Sequence, residues 1–411
     1  MKFPPILPWL GLCAVLAAAQ VQAADWPQRR GPANDGHSAE TGWSHVWTAD
    51  GPPVAWRRDV GTGFSAVTVA GGVAFVVGNA SEASALVALD AASGEPRWSF
   101  TYPEPLNPKM YEGGPNVTPT VAGGRLFAAS RPGLVLCLDA ASGSLVWSND
   151  LARVVGGKNG DWGMAGAPLV SGGRVFVNFG TAVVALDAST GQAQWQAARE
   201  TKGKYSFTTP VLAQAGGRPL LLAHMQKALF GLDPADGRAL WRHEFGAGYE
   251  THCTDPVLTD TGAFISSGDD GGELVAFTTG DVRRVWKNKN LGTFTGTAVL
   301  VGGHLYGVDA AGYKKGGQEL RCVSSADGAI RWSLPGFGQD SLIAAGDRLI
   351  LLSERGELMV VRATPERPEV LARAQVLGGK CWTQPTLADA RLYCRNAKGQ
   401  IICLDLRPPA S

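Results

Sequence analysis

The chain lacks most of what a metal site, a hydrolase or a nucleotide enzyme would spell out. It has no Cys-x-x-Cys pair and no His-Glu-x-x-His, so no zinc signature is present. It has no Gly-x-Ser-x-Gly and no phosphate loop. Charge of one sign is also missing: 37 Lys and Arg stand against 36 Asp and Glu, a formal net charge of +1. Nucleic acid needs a basic surface, and this balance does not supply one. No long segment has helical period, which excludes a helical repeat array. No apolar run is long enough to span a membrane. The run Ile6 to Ala19 is too short, and it holds Pro8 behind Pro4 and Pro5.

That N-terminal run reads instead as a targeting segment. Lys2 is its short charged region, and the small residues at Ala23 and Ala24 suit cleavage. Residues 1–24 are therefore expected to be a signal peptide, with the mature protein periplasmic or secreted. Six cysteines remain after Cys13 is removed: Cys137, Cys253, Cys322, Cys381, Cys394 and Cys403. Cys137, Cys322 and Cys403 share a repeat position with Ala88 and Ala185, which suits small buried packing residues. Cys394 and Cys403 straddle a hairpin, where a cross-strand disulfide is open.

Tryptophan and glycine are what the chain has in plenty, with 13 and 54 residues. They recur in one unit. Ala88 to Trp98 reads ALDAASGEPRW, Cys137 to Trp147 CLDAASGSLVW, Ala185 to Trp195 ALDASTGQAQW and Gly231 to Trp241 GLDPADGRALW. Ala276 to Trp286 and Cys322 to Trp332 carry weaker copies, and Val361 to Leu371 keeps only the spacing. Apolar residues before the Asp suit a buried strand. The Asp starts a turn by accepting backbone hydrogen bonds, and Gly supplies the positive φ that closes it. The Trp then presents a large ring that a single sheet cannot cover.

The spacings from Trp98 through Trp147, Trp195, Trp241, Trp286 and Trp332 are 49, 48, 46, 45 and 46 residues. A period in the forties with β signals predicts a propeller of four-stranded blades. Gly-Gly hairpins at 71–72, 123–124 and 172–173 mark the end of each inner strand. The last unit, at Cys403, stops before a Trp, while Trp56 lies 42 residues before Trp98 with no unit in front of it. The expectation is an all-β, single eight-bladed propeller over residues 54–411, closed by the N-terminal strand completing the last blade. Residues 25–53 are expected to form an extended strap. Trp26 is expected to bury on an outer face of the ring, and Arg29-Arg30 reads as a solvated pair.

The longer connections between each Trp and the next inner strand should open on one face around the central channel, where function is usually carried. They hold aromatics with sparse polar groups. Trp162, Tyr205, Tyr249, Glu250, His252, Phe294, Asp340 and Trp382 are the candidate binding residues, with Tyr111, Glu112 and Lys380 beside them. The same rings could simply plug the channel. His252 has no partner His at metal spacing, so no metal is expected. Asp269-Asp270 lacks the further carboxylates of a calcium loop and suits a turn.

The unit ALDAASGEPRW resembles the tryptophan-docking motif of quinoprotein dehydrogenases. From DWPQRRGP to CWTQPTLADARLYCRNAKGQIICLDL the chain resembles the PQQ-binding-like β-propeller repeat proteins, the BamB-like and quinoprotein alcohol dehydrogenase-like superfamily. The resemblance implies that Trp56, Trp98, Trp147, Trp195, Trp241, Trp286 and Trp332 dock successive blades. It implies one of two activities. One is a non-catalytic, envelope-associated scaffold that binds a protein or peptide at its loop face, as a monomer without a cofactor. The other is a dehydrogenase of an alcohol or sugar, holding pyrroloquinoline quinone and calcium in the channel. For that branch Trp162 is the candidate indole floor, and Glu250 or Asp340 the ligand or base. Its disulfide between neighbouring cysteines has no counterpart here.

Overall fold

A computed structural model describes residues 25–109, 111–157, 159–160, 162–199, 206–246, 252–310 and 317–408. The leader therefore lies outside the described residues. The fold is an eight-bladed β-propeller. Each blade is an antiparallel meander, running from Thr68–Ala70 through Pro96–Pro103 in blade one to Ser341–Ala345 through Val370–Gln375 in blade seven. Among the described residues one α-helix occurs, the five-residue Leu151–Val155 between blades two and three.

Blade eight joins the two ends of the chain. Its inner strands are Thr386–Ala388, Arg391–Arg395 and Gln400–Asp405, and its outer strand is Val54–Asp59. Trp56 sits opposite Cys403, in the register expected from the repeat. Closing the ring this way leaves no blade short of a strand.

Each unit works by local physics. Asp90 Oδ1 accepts the amides of Ala92 and Ser93 at 3.0 and 2.9 Å, which fixes the turn. Gly94 follows at φ 73°, and a Cβ there would strike the Trp56 ring at 2.6 Å. Gly143 and Gly191 stand in the same way against Trp98 and Trp147. Glycine is thus needed twice over, for the backbone angle and for the ring of the preceding blade. The indole nitrogens reach into the next blade: Trp56 donates to Ala91 O, Trp98 to Ala140 O, Trp147 to Ala188 O, Trp241 to Thr278 O, Trp286 to Ser325 O and Trp332 to Thr364 O, at 2.7–3.1 Å. Trp195 differs. It packs on Gly237, but its nitrogen finds no acceptor in the unit that carries Pro234.

Register shifts two of the weak units. Leu274, not Ala276, lies opposite Trp286, because the turn of blade five is two residues longer. In blade seven Val360 faces Ala372, so the missing Trp belongs at Ala372 and not at Leu371. A one-residue bulge precedes this position in every blade, blade seven included. Cys394 faces Ile402 while Tyr393 faces Cys403. The two cysteines therefore project to opposite sides of their sheet and form no disulfide, and all six are free.

The strap departs from expectation. Trp26 is 2% exposed and exchanges backbone hydrogen bonds with Val69 on the inner strand of blade one, so it lies on the channel side and not on an outer face. Pro27 O accepts from Val121 of blade two. His37–Ser38 adds a parallel strand to the inner edge of blade seven. The strap thus runs across the channel from one side of the ring to the other, and inner-strand edges that would otherwise stay unpaired take it up. Farther on, Trp43 is buried in the cluster that holds Leu392, Leu404 and Leu406, with Leu371 and Ala374 packed against it. The strap thereby covers the junction at which blade seven has no Trp of its own.

Candidate functional site

An antiparallel four-stranded blade puts its first and third turns on one face of the ring. Its second turn and its connection to the next blade fall on the other. The Gly-Gly and Asp-Gly turns share the first face, and the longer connections share the second. The strap enters the channel from the turn side, where Asp25 accepts the Gly71 amide.

Side chains of four blades link neighbouring blades just where the inner strands begin. Thr118 Oγ1 accepts the Ala66 amide at 3.1 Å, Thr209 Oγ1 the Ala167 amide at 3.0 Å and Thr297 Oγ1 the Asp255 amide at 3.1 Å. Each links a blade to the next. In blade five the threonine is replaced by Asp255, whose Oδ1 accepts the Thr209 amide at 2.7 Å. Its other oxygen meets Arg29 Nε of the strap at 3.1 Å. Asp255 is 2% exposed, so this pair lies deep in the channel.

Arg30 is 1% exposed, and its guanidinium donates to the carbonyls of Asn34, Asp35 and Ala298. Burial pushes its pKa down to about 10, with Asp255 opposing, so it stays charged at neutral pH. The Arg29-Arg30 step is therefore a strap anchor and not a solvated pair. One sequence signal marks this anchor: Asp255 stands where blades two, four and six carry Thr118, Thr209 and Thr297.

Between Arg29 and the loop face lies a cavity of about 60 Å³, lined among others by Thr118, Thr295, Thr297, Thr383 and Trp382. Beside it runs a row of half-buried rings. Trp162 stacks on Tyr111 with centroids 4.9 Å apart, Tyr111 meets Phe64 edge-on at 5.4 Å, and Phe64 stacks on Trp382 at 5.8 Å. These rings come from the connections into blades three, two, one and eight. Lys380 lies 4.4 Å over the Trp382 ring and pairs with Glu112 at 2.9 Å. The fold thus joins two candidates, Trp162 and Trp382, through Tyr111 and Phe64 into one aromatic ledge.

Other candidates lie elsewhere. Phe294 sits over Gly268, away from the ledge. Asp340 is 2% exposed, accepts the Glu354 amide at 2.7 Å and is pushed up to about 6, chiefly by burial. His252 is fully buried and stacks on His224, with ring centroids 4.0 Å apart. Burial, then His252, holds His224 well below the ordinary imidazole range; burial brings His252 to about 4. Tyr205, Tyr249 and Glu250 lie outside the described residues.

The quinone reading can be tested on these side chains. Trp162 is covered by Tyr111 on one face, and the strap takes up the turn half of the channel. The remaining cavity has room for a few water-sized groups. Among the described residues no three of His, Cys, Asp and Glu come together as metal ligands, and no disulfide forms between neighbouring cysteines. These residues do not fit a quinone with calcium.

Comparison with known proteins agrees with the architecture. Solved structures share the fold at low identity. BamB from Moraxella catarrhalis superposes with a TM-score of 0.64 at 15% identity, over 86% of this chain and 99% of that one. Quinohemoprotein alcohol dehydrogenase from Comamonas testosteroni gives 0.71 at 14%, over 94% and 81%. A europium-containing methanol dehydrogenase gives 0.68 at 14%, over 90% and 89%. No protein with a curated description matches the sequence. A family profile described as outer membrane protein assembly factor BamB matches residues 36–115 and 108–334. With the greater part of the chain matched, the protein belongs to that BamB-like family of PQQ-like propeller repeats.

Proposed function

We propose that the protein is an exported, non-catalytic propeller scaffold that holds a protein or peptide partner on the aromatic ledge of its loop face. The observation that carries this reading is the ledge itself. Four rings from four different blades form a continuous half-buried surface, and exposed aromatic rows of this kind are used for contact. The ring beneath is rigid, so the surface is pre-formed. The family description names outer-membrane protein assembly, which favours a protein partner in the cell envelope. No cofactor is required. Among the described residues no helix is long and apolar enough to cross a membrane.

The test compares the wild type with the Trp162→Ala, Trp382→Ala double variant. Both are immobilised, exposed to envelope extract and analysed by quantitative mass spectrometry. Partners retained by the wild type should fall about tenfold or more on the variant, as loss of two central aromatics implies. Equal retention on both would move the binding surface elsewhere. Dye reduction after reconstitution with pyrroloquinoline quinone and calcium would replace the scaffold reading with the dehydrogenase one.

A further inference from the structure

The ledge ends at the channel cavity, and that cavity has a chemistry of its own. We propose that it is a carboxylate receptor. It takes an acidic side chain or the C-terminus of a peptide lying on the ledge, and Arg29 of the strap is the group that holds it. This rests on the peptide-binding reading and specifies it.

Among the described residues lining the cavity, Arg29 is the only charged one. Its Nε is engaged by Asp255, and no protein acceptor meets its two terminal nitrogens among the described residues. Those nitrogens form the flat fork that matches a carboxylate. The local charge also favours an anion. Arg29 and Arg30 both reach the channel, and Asp255 is the one carboxylate within ion-pair distance of either among the described residues. Arg30 hydrogen-bonds to carbonyls alone, with Asp255 and Asp35 favouring its charge from farther off.

The hydroxyls point the same way. Thr118 and Thr297 use Oγ1 to accept backbone amides, which leaves each O–H free to donate. Thr383 is 3% exposed, and its hydroxyl has no partner; neither has that of Thr295. A buried wall with donors in excess and one cation is short of acceptors, which a carboxylate supplies. The cavity, at about 60 Å³, admits a group of that size and little more. Phe64 and Trp382 line the cavity and also end the ledge, so the residue beside the carboxylate would rest on their rings.

The experiment is isothermal titration at neutral pH with four probes. These are sodium acetate, an amidated peptide with one Asp between two Phe residues, its Asn isostere, and a neutral Phe-containing peptide with a free C-terminus. The proposal expects acetate to bind and one of the two carboxylate peptides to bind more tightly than acetate. The peptide that binds tells side chain from C-terminus. The Asn isostere should bind about tenfold more weakly or worse. Arg29→Gln should weaken the carboxylate probes by about tenfold or more. Because that change leaves Asp255 buried without its partner, Thr383→Val serves as a second variant of unchanged shape. It should cost about threefold to tenfold, the loss of one hydrogen bond. Equal binding of the Asp and Asn peptides, or carboxylate binding untouched in both variants, overturns the proposal and leaves the ledge reading standing. Acetate binding with no peptide binding overturns the peptide source, and the ledge reading with it.

Discussion

Two seams of this ring are built on opposite principles. Where blade eight meets blade one, most buried polar groups end on backbone carbonyls, Arg395 Nε being left over. Arg395 Nη1 donates to Ser65 O and Val77 O at 2.7 Å each, and Nη2 to Gly61 O at 2.9 Å. Tyr393 and Trp56 both donate to Ala91 O, and Thr386 to Val67 O. Where blade four meets blade five, polar groups are left over. The His224 nitrogens have no partner, the Thr254 backbone lying outside hydrogen-bond geometry, and neither end of the Gln226 amide has one. The His252 ring keeps one bond, Nε2 to Gln226 O at 2.8 Å, and its Nδ1 has none. At the first seam Arg395, Tyr393 and Thr386 belong to the C-terminal strands of blade eight, which only non-covalent contacts hold to blade one and to the outer strand Val54–Asp59 that leads into it. The second is crossed by the chain itself, so unmet polar groups there cannot open the ring.

The strongest way to break this contrast is Arg395→Leu. It strands three carbonyls in a buried seam, and the loss should be about 4 kcal/mol or more, read by urea unfolding. A loss under about 1 kcal/mol would show that the carbonyl cage is not what closes the ring. Trp56→Ala removes a ring that is 6% exposed together with its hydrogen bond, and should cost about 3–5 kcal/mol. The same change at Trp195, whose nitrogen has no acceptor, should cost less. The order of these two midpoints sharpens the claim.

Acid should act on the other seam. His224 and His252 fold as neutral rings, with pKa values below the ordinary 6.5. As pH falls, the unfolded chain therefore takes up protons first. Their contribution is intact above about pH 7 and is lost from about 6.5 downwards, continuing to about 4 for His252, by up to about 1.4 kcal/mol per pH unit for each ring. Unfolding midpoints from pH 7.5 to 4.5 measure it. His224→Phe should flatten that slope. At pH 7.5 it should change stability by about 1 kcal/mol or less, since it removes groups that have no partners. A steep slope kept in His224→Phe would place the acid sensitivity elsewhere.

The repeat was legible because its physics is local. Asp90, Gly94 and the following Trp make a turn within one stretch of chain; four full copies and the weaker ones after them set the period, and the two unfinished ends set the count. Trp56 opposite Cys403 could be read for the same reason, since an outer strand without a unit must complete a unit without an outer strand. The registers of blades five and seven were misread because turn length, not spacing, decides which residue faces the indole position. Of the candidate site, Trp162 and Trp382 were visible as loop aromatics. Their connection through Phe64 was not, because Phe64 precedes the first blade and meets Trp382 only once the ring is shut.

The sequence by itself determined a closed ring of eight blades, the strand that shuts it, and the face on which long loops gather. Tertiary structure alone decided that the strap crosses the channel, that Arg29 meets Asp255, and that Arg30 and Arg395 charge the interior while bound to carbonyls. The reason lies in the partners. A backbone carbonyl is carried by every residue, so no letter in the sequence marks the one that a buried arginine will find. A turn is different, because its Asp and Gly are themselves the groups that make it.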